Sequence, residues 1–403
     1  MAFRLRPTSG LGLVYASTAV VMASYALLAV ALPFRFQSLD LSVVQYGIAL
    51  AVFALGMLLT ESVWGMLAFR IGHAPTILGL GVLVAVVYLA IGFLTTFLTL
   101  TISLGLLGAL VIFPVPLMRW MALTALGPGT GGRGTGIYGL FFGVGLVVGT
   151  TFGPFLFVQY GFEVLTGLIV ASYAVGLGLM VLLPWGRVAL PTHHPGFVSQ
   201  VREVLTRPFA LVSALVILSF LAMTLTTNFL QYYSVSLFGG TPADAGYVIG
   251  AARATSLVAG VVLGVLVDRW GPGRSAPVGF ALLTLGAIGT LFSASYSEMV
   301  GATLVLATGT GWLSAGLLPL ALGPVEPRLQ GTAIGVFGSF EDFGLLVGPI
   351  LISGVFAAYG ARSTFAVVGG VGLAGVLLSL FLRTSVRGAH SGPEPAGSLE
   401  APP

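Results

Sequence analysis

Gly65-Met66-Leu67-Ala68-Phe69-Arg70-Ile71-Gly72 returns about 199 residues later as Gly264-Val265-Leu266-Val267-Asp268-Arg269-Trp270-Gly271. Upstream the correspondence continues, with Ser42-Val43-Val44-Gln45-Tyr46-Gly47 set against Thr241-Pro242-Ala243-Asp244-Ala245-Gly246. Both upstream segments read as helix starts, a Ser or Thr cap followed three residues on by a side chain that can reach back. Further along, Gly149-Thr150-Thr151-Phe152-Gly153-Pro154 matches Gly344-Leu345-Leu346-Val347-Gly348-Pro349 at an offset of 195. The chain is two related halves.

What surrounds the repeat sets the class. Of 403 residues, 57% are hydrophobic and 7% charged, where a soluble domain has about a quarter charged. The apolar residues fall in runs of about 20, the length a helix needs to cross hydrocarbon. Only helices and closed barrels satisfy every backbone polar group there. Unbroken apolar runs fit helices and not the alternating pattern of a barrel. Twelve spans are predicted, at 11–33, 46–68, 75–93, 97–123, 135–158 and 162–184, then 209–237, 245–267, 276–295, 299–321, 332–357 and 363–384. Six spans per half give the halves one orientation, a parallel repeat suited to two bundles that rock about a central site. The expectation is an all-α membrane protein: a six-helix bundle over 1–184, a linker over 185–208, a second bundle over 209–387 and a disordered tail over 388–403. Within the linker, Phe197, Val201, Val204 and Leu205 share one helical face, as in a short helix lying on the membrane surface.

Charge reports topology. With the N-terminus in the cytoplasm, Arg4, Arg6, Arg70, Arg133, Arg187, Arg202, Arg207, Arg269, Arg274, Arg328, Arg383 and Arg387 fall inside; only Arg35 and Arg362 fall outside. Both termini are expected to be cytoplasmic, in a multi-pass protein of the plasma (inner) membrane. The net charge of +4 is spread over short loops and gives no reason to expect nucleic acid. Arg4 and Arg6 before an apolar run imitate a signal peptide, but the run is long for one and the repeat needs it as a first helix.

Absences exclude several chemistries. The sequence has no cysteine, so no disulfide or thiolate chemistry. All sixteen basic residues are arginine, which excludes the lysine of a P-loop or a Schiff base. His73, His193, His194 and His390 fall in predicted loops or the tail, and no intramembrane metal centre or catalytic dyad is expected. Gly129-Thr130-Gly131-Gly132-Arg133-Gly134 has dinucleotide-loop spacing, but no strand precedes it, and it reads as a flexible loop. No cofactor and no enzymatic activity are expected.

The loop motif with this span count resembles the major facilitator superfamily over essentially the whole chain. In that family the loop after the second and eighth helices reads G-x-L-A-D-R-x-G followed by basic residues. Gly264, Asp268, Arg269, Gly271 and Arg274 fit it. Gly65, Arg70 and Gly72 fit it too, while Phe69 replaces the acid that, in the family, helps latch the bundles. Glu341-Asp342-Phe343-Gly344-Leu345-Leu346-Val347-Gly348-Pro349 looks like the eleventh helix of bacterial sugar- and drug-efflux permeases. Gly149, Gly153 and Pro154 resemble the antiporter element of the fifth helix, without its later glycines. The arginine that exporters often carry midway along the fourth helix is absent: Thr101 and Ser103 stand there, and Arg119 lies further on. The resemblance implies that the fifth and eleventh helices cross the interface between bundles, where their glycines serve either rocking or packing.

Ionisable groups inside hydrocarbon need a partner, a watery cavity or a task. Asp342, or Glu341 beside it, is expected to carry a coupling proton, to bind a cationic substrate or to tether a neighbouring helix. Arg253, well inside the eighth helix, is expected to bind an anionic group or pair with a carboxylate of its own half. Glu61 is a further coupling candidate. Asn228, Gln231, Tyr232 and Tyr233 line a substrate cavity or form part of an interfacial aromatic belt. Together these predict a monomeric secondary transporter that moves a small molecule, proton-coupled and outward. An uptake symporter, a facilitator or a non-transporting sensor or scaffold of the same fold are the alternatives.

Overall fold

A computed structural model describes residues 9–71, 73–111, 131–182, 197–326 and 329–390, with the backbone alone over 9–11, 61–71, 73–74, 131–136, 197–198, 268, 331 and 383–390. Among the described residues there are helices and no strand. The first bundle holds α1 (Ser9–Ser38), α2 (Val43–Ile71), α3 (His73–Phe93) and α4 (Phe97–Val111). It is completed by a helical stretch Gly131–Val181 that breaks at Gly161, φ 81° and ψ 170°, into α5 and α6. A short connecting helix, Phe197–Val204, leads to the second bundle. That bundle holds α7 (Arg207–Phe238), α8 (Pro242–Trp270), α9 (Pro272–Phe292), α10 (Tyr296–Leu322), α11 (Gln330–Tyr359) and α12 (Ala361–His390). The twelve apolar helices are those the sequence predicts. Most overrun the predicted spans by a few residues, and α4 is described only to Val111.

The repeat is written into the backbone. The near end of the molecule is where α1 begins and the far end where it finishes. At the far end, α2 opens with Ser42 N–H donating to Gln45 Oε1 (2.8 Å) and Gln45 N–H donating to Ser42 Oγ (3.2 Å). The equivalent start of α8 has Thr241 N–H donating to Asp244 Oδ2 (2.8 Å) and Asp244 N–H donating to Thr241 Oγ1 (3.2 Å). Asp40 at φ 55° has its counterpart in Gly239 at φ 63°, and Gly161 in Gly360 at φ 84°. Even the carbonyl that ends α3 and its equivalent at α9 are served alike. Arg35 donates to Leu94 O (3.3 Å), and Arg362 donates to Ser293 O (3.3 Å). Arg35 also pairs with Glu163 at 3.5 Å and lies over the Phe162 ring at 5.0 Å, which fixes α1 to α6.

Within the first bundle α1 packs along α5 and α6, and α2 against α4; within the second, α9 packs against α10 and α12, and α7 against α11. The bundles meet along two pairs, α2 with α11 and α5 with α8. These pairs are equivalent under the repeat. Gly47 of α2 packs on Ser353 and the Pro349 carbonyl of α11, and Gly246 of α8 on the Pro154 ring of α5. A Cβ at Gly246 would stand 2.8 Å from Pro154 Cγ, so glycine sets this closeness of approach.

The glycines singled out in the sequence sit elsewhere. Gly149 faces Ala23 and Ala26 of α1, and Gly153 faces Leu27 and Val30; Gly344 and Gly348 face Ile217, Phe220 and Thr224 of α7. Their close approaches therefore lie inside each bundle. The physical reason is that α5 and α11 each touch two neighbours, and the i, i+4 glycine row of each points at its own bundle. The connecting helix also differs from a free surface helix. Val204 is fully buried, Leu205 is exposed, and Thr332 Oγ1 donates to Gln200 Oε1 (2.6 Å) at the start of α11. The last helix continues to His390, three residues into the expected tail.

Replacing Gly149 by Leu should cost about 1–3 kcal/mol through overpacking against α1, read as a lower melting temperature of the purified protein. Gly139→Ala, where a Cβ meets nothing within 4 Å, should leave it unchanged or raised. Equal melting of both variants would contradict the packing described.

Candidate functional site

Between the bundles lies an open cleft with about 520 Å³ of empty space. It is lined by Tyr25, Leu28, Ala29 and Leu32 of α1, Leu50, Phe53, Ala54 and Met57 of α2, Leu104 and Leu107 of α4, Asn228 of α7, and Leu345 and Pro349 of α11. Spacings of three and four residues on α1, α2 and α11 turn one face of each towards it. Tyr25 and Phe53 stack at 6.0 Å between ring centroids, so one wall is aromatic. The polar groups are few. Tyr25 and Asn228 supply side chains. Pro33 and Pro349 lack an N–H, so the carbonyls of Ala29 and Leu345 lose their helical donors on cleft-lining turns.

Asp342 lies on the face of α11 that carries Leu345 and Pro349, about 18 Å from the start of the helix at 1.5 Å per residue. It is buried, and Glu341 beside it is half-buried. Arg253 lies about 16 Å into α8 from the far end. It falls between Gly250, which packs on Thr151, and Leu257, which packs on Gly143, so this face of α8 turns to the first bundle. Tyr25 stands within electrostatic reach of both Arg253 and Asp342. A tyrosine of the first bundle is thus the common neighbour of the two ionisable groups of the second.

Asn228 reaches the cleft from an irregular turn. Leu225–Phe229 forms one π-helical turn closed by Leu230 N–H donating to Leu225 O. Such a turn inserts one residue and re-aims the side chains around it, and is frequent at functional sites. Of the four residues expected to line a cavity, Asn228 does so. Gln231 is fully buried, its amide nitrogen 3.5 Å from Thr227 O. Tyr233 points into its own bundle, 4.2 Å from the Phe365 ring, with its hydroxyl donating to Thr290 O (2.9 Å).

Tyr232 has a different place. Its hydroxyl donates across the bundles to Pro33 O at 3.2 Å. Its ring meets Tyr46 at 5.6 Å and Phe356 at 6.1 Å, and Tyr46 in turn meets Phe36 at 5.3 Å and Phe229 at 5.5 Å. Rings from α1, α2, α7 and α11 thereby close the far end above the cleft. Tyr25, Tyr46 and Phe53 were not singled out in the sequence; tyrosine within an apolar span was the available signal.

In the motif loop, Gly271 adopts φ 82°, ψ 145° and donates to Val267 O (2.9 Å), a conformation that favours glycine. Arg269 and Arg274 are exposed, and Trp270 meets Trp312 at 5.9 Å. The side chains of Glu61, Arg70, Arg133 and Asp268, together with the whole of Gly72 and Arg119, lie outside what is described; Gly65 is placed as helix backbone only.

Twelve spanning helices in two repeated bundles, with a sparsely polar cleft between them, define a multi-pass membrane transporter. The chain belongs to the Major Facilitator Superfamily, whose model matches residues 14–307 and 212–403. It is 25% identical over 345 residues to the multidrug resistance protein MdtG of Dickeya zeae, covering 81% of each chain. Other transporter relatives match over shorter stretches, which amount to 21% and 33% of their own length. Among solved structures, a point mutant of the nucleoside transporter NupG superposes with TM-score 0.80 at 12% identity, over 92% of this chain and 99% of the other. A bacterial homologue of the human lysosomal transporter Spinster, in an inward-facing and unoccupied conformation, gives 0.79 at 14% identity, over 98% and 100%.

The chain has no cysteine, so Asn228→Cys would carry a single thiol in the cleft. In oriented vesicles that thiol should react slowly with an impermeant maleimide applied at the far end. Adding Tyr46→Ala should raise that rate severalfold. An unchanged rate would show that the ring cluster does not close the far end.

Proposed function

We propose that the protein is a secondary active transporter that moves a small molecule outward in exchange for protons, by alternating access around the cleft. The observation that carries this reading is that Tyr25 of one bundle lies within electrostatic reach of Arg253 and of the buried Asp342 of the other, well inside the membrane. A carboxylate buried there is the group able to take up and release a proton as the bundles change which side the cleft faces. The closed ring cluster at the far end supports one end of such a cycle. Arginine placement supports cytoplasmic termini in the plasma membrane, which makes the near end cytoplasmic. The likeness to a multidrug resistance protein favours outward movement. Membrane potential supplies about 2.3 kcal/mol per charge per 100 mV to such a cycle.

The domain reading is part of the proposal: two bundles over 1–184 and 209–387, each a rocking unit, joined by 185–208. One chain holds both, so a monomer suffices. Gly47, Gly246 and the loop motif around Gly271 are the contacts about which the bundles reorient.

The experiment is reconstitution in liposomes with a preset pH gradient and a panel of cationic dyes, sugars and organic anions. A transported compound should collapse the gradient, and Asp342→Asn should abolish the collapse while leaving the protein folded. Transport with no proton movement would shift the reading to facilitated diffusion. An Asp342→Asn variant with wild-type coupling would remove Asp342 from the mechanism.

A further inference from the structure

We infer that the cleft takes an organic anion, an apolar or aromatic body with one acidic head, and that Arg253 holds the head. The inference rests on the cleft being the substrate site; it does not depend on proton coupling or on direction.

The contrast among the described arginines carries the argument. Arg35 has Glu163, two carbonyls and the Phe162 face, and Arg362 has the Ser293 carbonyl. Both of these arginines sit near helix ends and have partners. Arg253 lies much deeper; its enclosed Nε is unpaired, as that of Arg35 is, but unlike Arg35 it has no hydrogen bond or ion pair through any of its nitrogens among the described residues. No acid among them lies within 4.0 Å of it, Arg35–Glu163 being the one ion pair between described side chains. Guanidinium stays protonated at any physiological pH and offers five donors in a planar fork. Leaving that charge unmatched inside a membrane is costly, and a bidentate carboxylate is the group that matches its geometry.

The rest of the cleft fits the remainder of such a ligand. Tyr25, the electrostatic neighbour of Arg253, also lines the cleft and stacks on Phe53. Arg253 is not itself a lining residue of the cleft, and Tyr25 is what joins the two; a ligand with its head held at Arg253 would extend past Tyr25, with its apolar body among Leu28, Leu32, Leu104 and Leu107. Asn228 offers one amide donor across from them.

The test is ligand-dependent thermal stabilisation of the purified full chain, followed by its own tryptophan fluorescence. The probes are 2-naphthoate, its neutral amide and the cationic 2-naphthylmethylammonium, three molecules of nearly one shape. The expected result is stabilisation by naphthoate at concentrations where the amide and the ammonium give none. Arg253→Gln should weaken naphthoate at least tenfold, Arg253→Lys should retain part of it, and Gly139→Ala, away from the cleft, should retain it fully. Should the Arg253 variants fail to fold, the three-probe comparison on the unaltered chain still decides. Stabilisation by the amide or the ammonium equal to that by naphthoate, no stabilisation by naphthoate, or undiminished naphthoate binding in Arg253→Gln would each overturn the inference. Naphthoate binding without any proton-linked transport would leave this inference standing and sink the coupling reading instead.

Discussion

The bundles approach closely at two places equivalent under the repeat, Gly47 on Ser353 and the Pro349 carbonyl and Gly246 on the Pro154 ring. Everything else in the molecule depends on that constraint. Inside hydrocarbon there is no hydrophobic drive to pull helices together, because lipid is as apolar as leucine. Close approach through small residues is what remains, and here it includes the two points related by the repeat as well as Gly250 on Thr151 and Gly143 under Leu257. Each bundle stays intact through its own glycine row, Gly149 and Gly153 on α1 and Gly344 and Gly348 on α7. Close glycine seams inside each half, and a seam between the halves confined chiefly to α2 with α11 and α5 with α8, describe a machine of two parts.

The cleft follows from the same arrangement. Helices α1, α2 and α4 turn mostly apolar faces inward from one half, with Tyr25 as their polar side chain, while α7 brings Asn228 and α11 the Pro349 turn from the other. The π-turn at Leu225–Phe229 and the prolines at 33 and 349 interrupt regular helix on three of its walls. Such irregular backbone is tolerated at membrane depth where it is buried in protein or lines a cavity. The halves are also unequal at one point. From the Gly-Pro element to the glycine that ends the helix, α11 has eleven residues where α5 has seven, one additional turn. That turn carries Ser353 onto Gly47 and Phe356 onto Tyr232, and so helps make the far end close.

Much of this was legible in the residues. The repeat offset of 199 foretold both capping boxes, because Ser42–Gln45 and Thr241–Asp244 are local patterns whose hydrogen bonds involve only near neighbours. Asp342 and Arg253 stood out because charge in an apolar run is rare. The cleft itself was less legible. Tyr233 and Gln231 are as polar as Asn228, and which of them faces inward is set by the π-turn, which no periodicity reveals. Tyr25 went unremarked because one tyrosine in an apolar helix gives no pattern, and its importance lies in what the other bundle brings to it. The glycine rows were recognised, but a spacing of four says that a helix approaches closely, not which neighbour it approaches.

Spin labels would test the central claim, that two rigid bundles reorient about the cleft, at a symmetric pair of positions. Gln37 and Ser236 are exposed, equivalent under the repeat and at the far end of α1 and α7, in a chain without cysteine. Pulsed measurement of the distance between labels on Gln37→Cys and Ser236→Cys in liposomes should give two populations. The shorter corresponds to the closed ring cluster, and the balance between the two should move with pH. A single narrow distance, unchanged from acid to alkaline conditions, would contradict the account.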